Sequence, residues 1–292
     1  MTAPWLGPFE RYSREPILAP DPYSWFEKAA VYNPTVLLEG DTFYMIYRAE
    51  DTHDEYISRL GLATSTDGLN FTRYEGNPVV GIDGPLYPLE SRGCEDPRAV
   101  KVGDTYYMTY TAWTGYSLGL ALATSKDLIN WTKHGIIIPD TKAGAIYPEP
   151  IGGRYIMYFG DTNIWMATSE DLLHWEVREE PVLRPRPDRF DSVLVEPGPA
   201  PVMTPDGLLL IYNSSNGTHY NAGQVLFDKE DPTRVIARTD EPFLSPELAW
   251  EKWGKVNQVV FAEGLVRKDD TWYLYYGGAD KCIGVATAKA TW

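Results

Sequence analysis

The sequence predicts an all-β fold, a five-bladed β-propeller in a single domain spanning residues 1–292. Three observations predict it: a composition rich in strand and turn formers, an aromatic-rich run repeated five times, and a second repeated run that follows the first. Aromatic residues make up 13% of the chain (20 Tyr, 10 Trp, 9 Phe), beside 25 Gly and 23 Pro. Rings suit half-buried pleated surfaces and Gly and Pro suit tight turns, so a helical bundle is disfavoured. An apolar share of 43% against 23% charged is a globular balance that can fill a core.

The first repeat reads DTFYMIY (Asp41 to Tyr47), DTYYMTY (Asp104 to Tyr110), GRYIMYF (Gly153 to Phe159), GLLLIYN (Gly207 to Asn213) and DTWYLYY (Asp270 to Tyr276). Each copy alternates or runs apolar over an ordinary strand length after a Gly or Asp turn. Starts at residues 41, 104, 153, 207 and 270 leave room for one four-stranded blade plus loops in each interval. The second repeat reads GLATSTDGLNFT from Gly61, LALATSKDLINWT from Leu120 and IWMATSEDLLHWE from Ile164, with a shortened IGVATAKATW from Ile283. Its Asp67, Asp127 and Asp171 mark turns, and the following Phe71, Trp131 and Trp175 are expected to pack structurally between blades.

Charge narrows the partners. Twenty-six Lys and Arg against 41 Asp and Glu leave a formal charge of −15, which repels a nucleic-acid backbone. No apolar run is long enough to cross a bilayer, and MTAPWLGPFERY has no basic region followed by an apolar one, so a soluble cytoplasmic protein is expected. Cys94 and Cys282 are too few for a disulfide framework or a four-cysteine zinc site, although one long-range disulfide stays open.

Out-of-pattern polar segments lie beside the repeated strands, where residues of different blades converge at a propeller mouth. They offer Asp96, Glu196, Glu263 and Asp280. Two carboxylates across a sugar-sized gap are the minimal apparatus of glycoside hydrolysis: one protonates the leaving oxygen, the other activates water. Glu196 in VEPGP, beside a proline, and Glu263 in FAEG sit in apolar surroundings that penalise a charge. A buried salt bridge and a catalytic or ligand-binding role both fit them, and Asp96 in EDPR also suits a turn with a local ion pair. His53, His134, His174 and His219 are scattered, and HExxH and CxxC are absent, so no metal or cofactor chemistry is expected. NSSNGTHYNAG (Asn213 to Gly223) reads as a loop at the fourth blade's strand end and not as a nucleotide site.

YNPTV, IYRAED, SRLGLATS, CEDPR, VEPGP, VFAEG and YYGGAD occur in this order from about residue 30 to residue 286. Together they resemble glycoside hydrolase family 130, over nearly the whole chain. The resemblance implies a five-bladed propeller acting on β-mannosides, by inverting phosphorolysis to mannose 1-phosphate in most members and by hydrolysis in a minority. It implies that Asp96 is the general acid, its proton passing through a sugar hydroxyl. Asn33, Arg48, Arg59, Arg98 and Asp280 are then expected to line the pocket of the cleaved mannosyl unit, and Lys142 the acceptor or phosphate side.

Departures from the phosphorylase pattern direct the expectation further. Where such enzymes resemble one another in a His-Arg pair and a Tyr-His-Gly, this chain has Tyr158-Phe159-Gly160-Asp161 and Tyr212-Asn213-Ser214; where they carry small or thiol residues, it has Glu196 and Glu263. Two added carboxylates repel a phosphate dianion. The expectation is an inverting, exo-acting β-mannosidase, on β-1,2 linkages, with Asp96 as acid and Glu196 or Glu263 as base. A phosphorylase, a propeller glycosidase of other specificity such as an arabinofuranosidase, and a non-catalytic sugar-binding propeller are the alternatives.

Overall fold

The computed structural model describes residues 5–52 and 57–291; His53 lies outside them. Strand β1 (Glu10–Arg11) is followed by β2 (Ala30–Glu39), β3 (Thr42–Glu50), β4 (Ser58–Ser65) and β5 (Thr72–Arg73). A short helix α1 (Tyr87–Glu90) leads into β6 (Gly93–Val102), β7 (Thr105–Trp113), β8 (Leu118–Ser125) and β9 (Trp131–Pro139). Next come β10 (Ala145–Ile151), β11 (Arg154–Phe159), β12 (Trp165–Ser169) and β13 (Glu176–Val177), then β14 (Leu194–Pro197), β15 (Val202–Met203), β16 (Leu208–Ser215), β17 (Tyr220–Phe227) and β18 (Val235–Arg238). Helix α2 (Ala249–Lys252) precedes β19 (Val260–Lys268), β20 (Thr271–Gly278) and β21 (Cys282–Lys289).

The architecture is all-β, and these strands form four sheets. One is eight-stranded, but its halves β2–β5 and β6–β9 are antiparallel units that touch through a single parallel pair, Ser58 with Gly93. The last sheet is completed by β1, paired antiparallel to β21. No sheet among the described residues closes on itself. The five aromatic-rich runs are the strands β3, β7, β11, β16 and β20, each second in its unit apart from the two-residue β15. The NSSNGTHYNAG segment departs from its expected loop: Asn213–Ser215 end β16 and Tyr220–Gly223 begin β17, because the two pair in unbroken register up to the Ser215–Tyr220 couple.

The core is divided among five apolar clusters, each drawn from two units. Leu62 packs with Met108, Val100 with Met157, Tyr158 with Leu210, Ile211 with Leu274, and Met45 with Tyr275 of the last sheet. Phe71 meets Tyr275 edge-on at 5.8 Å, while Trp131 and Trp175 join the clusters between units, as expected of the ring after each Asp turn. The turns repeat to the atom: Asp67, Asp127 and Asp171 each accept from the backbone N–H groups two and three residues on.

A repeated buried network accompanies the strands. Tyr47, Tyr110, Tyr212 and Tyr276 donate to Glu27, Glu90, Asp191 and Glu251. Each carboxylate is neutralised by a cation from its unit's outermost strand: Arg73, Lys133, Arg238 and, from β1, Arg11. Small residues admit the rings; a Cβ at Gly61 or Gly223 would lie 2.5 or 2.6 Å from the facing tyrosine ring. These four carboxylates are thereby committed to structure, since a buried charge is tolerated when paired and hydrogen-bonded.

Candidate active site

The site residues come from irregularities in the first strands of the units. Pairing of β2 with β3 slips at Asn33, of β6 with β7 at Asp96 and Pro97, and of β19 with β20 at Glu263. A bulge leaves its extra residue outside the ladder and re-aims the side chain. Asn33 (φ 48°) and Asp96 (φ 50°) have left-handed backbone, as does Asp280 (φ 49°) in the turn between β20 and β21; Asn and Asp are the side-chain-bearing residues that tolerate it best.

These elements surround a cavity of about 140 Å³ lined by Asn33, Arg48, Asp96, Lys142, Glu196 and Asp280 on its polar side. Asn33 Nδ2 donates to Asp96 Oδ1 at 2.9 Å, and Arg48 Nη1 approaches the same oxygen at 3.2 Å. Arg48 Nη2 reaches Glu50 and Glu95, both at 2.9 Å, and its guanidinium lies over the Tyr32 ring. Lys142 Nζ is 3.2 Å from Glu196 Oε2, while Glu196 Oε1 is buried without a hydrogen-bond partner.

Arg98 and Glu263 stand behind the cavity wall. Arg98 Nη2 is 2.9 Å from Glu263 Oε1 and 3.6 Å from Glu196 Oε1, and the guanidinium also donates to the carbonyls of Pro197 and Gly198. Arg59 is not among the lining residues: it pairs with Asp51 at 2.9 Å, under the Trp25 ring. Of the nine residues expected from the sequence, six therefore share one cavity, two buttress it and one lies apart.

Environment separates the carboxyls chemically. Burial tends to raise Asp96, but Arg48, Lys142, Arg98 and the Asn33 hydrogen bond outweigh it and hold the group at about 2. Burial pushes Glu196 upward against the pull of Lys142 and Arg98, and pushes Glu263 well above the ordinary range against Arg98. Asp280 is pushed to about 6 by burial, with Arg48 opposing. Burial works against the Lys142 ammonium, yet Glu196, Asp96 and Asp161 raise it, so it is a firm cation.

Sequence reasoning missed the apolar wall of Tyr220, Val256, Val259 and Phe261, which carries no chemical signal. It also missed Glu50 and Glu95, although both lie inside the quoted IYRAED and CEDPR runs. Cys94 and Cys282 are free, buried thiols, so the possible disulfide is not formed. Among the described residues no group of three or more His, Cys, Asp or Glu is arranged to hold a metal ion, and no helix is long and apolar enough to cross a membrane.

Charged and amide groups converging on a small cavity suit the hydroxyls of a sugar, which charge-assisted hydrogen bonds grip firmly. Residues 7–291 match the family described as beta-1,4-mannooligosaccharide phosphorylase, and the chain belongs to glycoside hydrolase family 130. It is 43% identical to a 1,2-beta-oligomannan phosphorylase of Thermoanaerobacter sp. (strain X514), covering 95% of this chain and 96% of the relative. A beta-1,2-mannobiose phosphorylase of the same strain is 38% identical, covering 96% of each. One similar solved structure, at TM-score 0.91 and 36% identity over 97% of this chain and 94% of the other, is described as "The GH130 family of mannoside phosphorylases contains glycoside hydrolases that target beta-1,2 mannosidic linkages in Candida mannan".

Proposed function

We propose that the chain is a single five-bladed β-propeller that removes terminal mannosyl units from β-1,2-linked manno-oligosaccharides by inverting hydrolysis. The propeller reading is supported by five strand units, five clusters each shared by two units, and β1 supplying to the last unit the cation that outer strands supply elsewhere. Asn33, Arg48 and Asp280 hold the sugar, Asp96 is the acid, and Glu196 is the base. Glu196 suits that role better than Glu263, because it lines the cavity, whereas Glu263 stands behind the wall against Arg98. With its present partners Asp96 is ionised at neutral pH; a sugar filling the cavity excludes water and strengthens the burial effect, the direction an acid needs.

One observation carries hydrolysis over phosphorolysis: the cations suited to a phosphate are already neutralised, Lys142 by Glu196 and Arg98 by Glu263. A dianion brought there meets two carboxylates in poorly solvated surroundings. The second reading is phosphorolysis, which the names of the Thermoanaerobacter relatives support more directly than they support hydrolysis. Incubation with β-1,2- and β-1,4-mannobiose, with and without phosphate, tests both. Free mannose at equal rates in the two conditions is the expected result; turnover only with phosphate, yielding mannose 1-phosphate, replaces it with the second reading.

A further inference from the structure

Lys255 lies in the exposed segment after α2 and has no place in the chemistry above. Its Nζ reaches across to β3, 2.7 and 2.9 Å from the two oxygens of Glu50. Glu50 is fully buried, accepts from Tyr32 at 2.6 Å and holds Arg48 at 2.9 Å, and Arg48 in turn holds Asp96 at 3.2 Å. Four charged groups thus alternate in sign from the surface to the acid. We propose that Lys255 is a positioning residue, which sets Arg48 on Asp96 by neutralising Glu50.

The reasoning is one of competition. Arg48 divides its donors among Glu50, Glu95, Asp96 and Ser58. With Lys255 in place, Glu50 divides its charge between two cations, and Arg48 keeps Nη1 within 3.2 Å of Asp96. Without it, Arg48 is left to balance the buried Glu50, which draws the guanidinium further toward itself, since attraction in a desolvated site is strong. The same segment touches the cavity through Val256, whose N–H donates to the Ala279 carbonyl beside Asp280. Gly254 permits that approach: a Cβ there would lie 2.3 Å from the Ala279 oxygen. The segment therefore reports to both Asp280 and Asp96.

The inference rests on the mannoside reading for its kinetic consequence but not for its physical one, and the test separates the two. The carboxyl carbon of Asp96 is followed by NMR titration in the wild type, K255M and K255R, with D96N assigning the signal. The groups facing Asp96 are Asn33, Arg48, Arg98, Lys142, Glu95, Glu196, Glu263 and Asp280, and all are retained in each variant. K255M is expected to move the Asp96 midpoint upward by about one pH unit as Arg48 withdraws, with K255R close to wild type. An unmoved midpoint, or a midpoint moved equally by K255R, overturns the inference whatever the enzyme's substrate. On β-1,2-mannobiose, K255M is expected to lower kcat/KM about tenfold. No turnover by the wild type sinks the mannoside reading alone, whereas an active K255M that loses only thermal stability sinks the positioning role.

Discussion

The side-chain amide of Asn33 donates a 2.9 Å hydrogen bond to Asp96, joining two bulges that belong to different strand units. Neither bulge makes a site alone; the setting of Asp96 is an agreement between them. Gly277 of β20 lies directly against Asn33, where a Cβ would fall 2.6 Å from Oδ1 and 3.1 Å from the backbone nitrogen. Gly277→Ala is therefore expected to destabilise the fold by about 1–3 kcal/mol and to lower kcat/KM by displacing Asn33. Urea melts together with kinetics check it; unchanged kinetics in a folded variant contradict the Asn33 role.

Replacing Asp96, the proposed acid, tests the mechanism directly. Asp96→Asn keeps the shape and suits left-handed backbone, so the fold is expected to survive while kcat falls about a thousandfold. Glu196→Gln is expected to cost about a hundredfold or more, and Glu263→Gln less, because that carboxylate supports Arg98 from behind the wall. Equal losses for the two glutamines contradict the assignment of the base. NMR of the first-formed sugar is expected to detect α-mannose; β-mannose as first product contradicts inversion.

Asp280 gives the pH dependence its sign. Its folded value of about 6 exceeds the ~3.9 of an unfolded aspartate. Between those values the native state binds more protons, so Asp280 subtracts stability as pH climbs through that window. Ionised Asp280 is the form that grips a sugar hydroxyl, so wild-type kcat/KM is expected to rise through about pH 6; Asp280→Asn is expected to lose that rise and to gain stability relative to wild type from about pH 4 to pH 7, measured by paired melts. Asp96 acts oppositely: its stabilisation is full above ~3.9 and is lost as pH falls through about 2.

Arg11→Met probes a carboxylate outside the site. It leaves Glu251 buried with Tyr276 and the backbone N–H groups of Glu247 and Leu248 as donors but without the Arg11 cation, and a broken buried pair costs about 3–5 kcal/mol. The expected result is a large drop in melting temperature with kcat unchanged, measured below the new transition. Restored stability in Arg11→Met with Glu251→Gln identifies the unpaired charge as the cause.

The repeats were legible because strand periodicity and turn chemistry are local. DTYYMTY and SKDLINW announce a strand and an Asp turn within a few residues, and both form where the pattern puts them. Asp96, Glu196, Glu263 and Asp280 were legible as carboxylates in unusual company, and Arg48 and Asn33 through a resemblance. Arg59 was equally legible, yet its charge is taken by Asp51. Glu27, Glu90, Asp191 and Glu251 were invisible as a set, because each tyrosine partner lies 20 or more residues away in sequence.

By itself the sequence determined an all-β chain of repeated units, its excess of carboxylates, and the few positions at which those carboxylates sit among apolar residues. Tertiary structure alone decided which charges meet: that Asp96 is held by Asn33 and Arg48, that Glu196 faces the cavity while Glu263 stands behind Arg98, and that Lys255 reaches Glu50 from 205 residues away. The physical reason is range. Propensity and turn preference act over a few residues, whereas burial and Coulomb attraction depend on distance in space, which only the packing of one strand unit against another supplies.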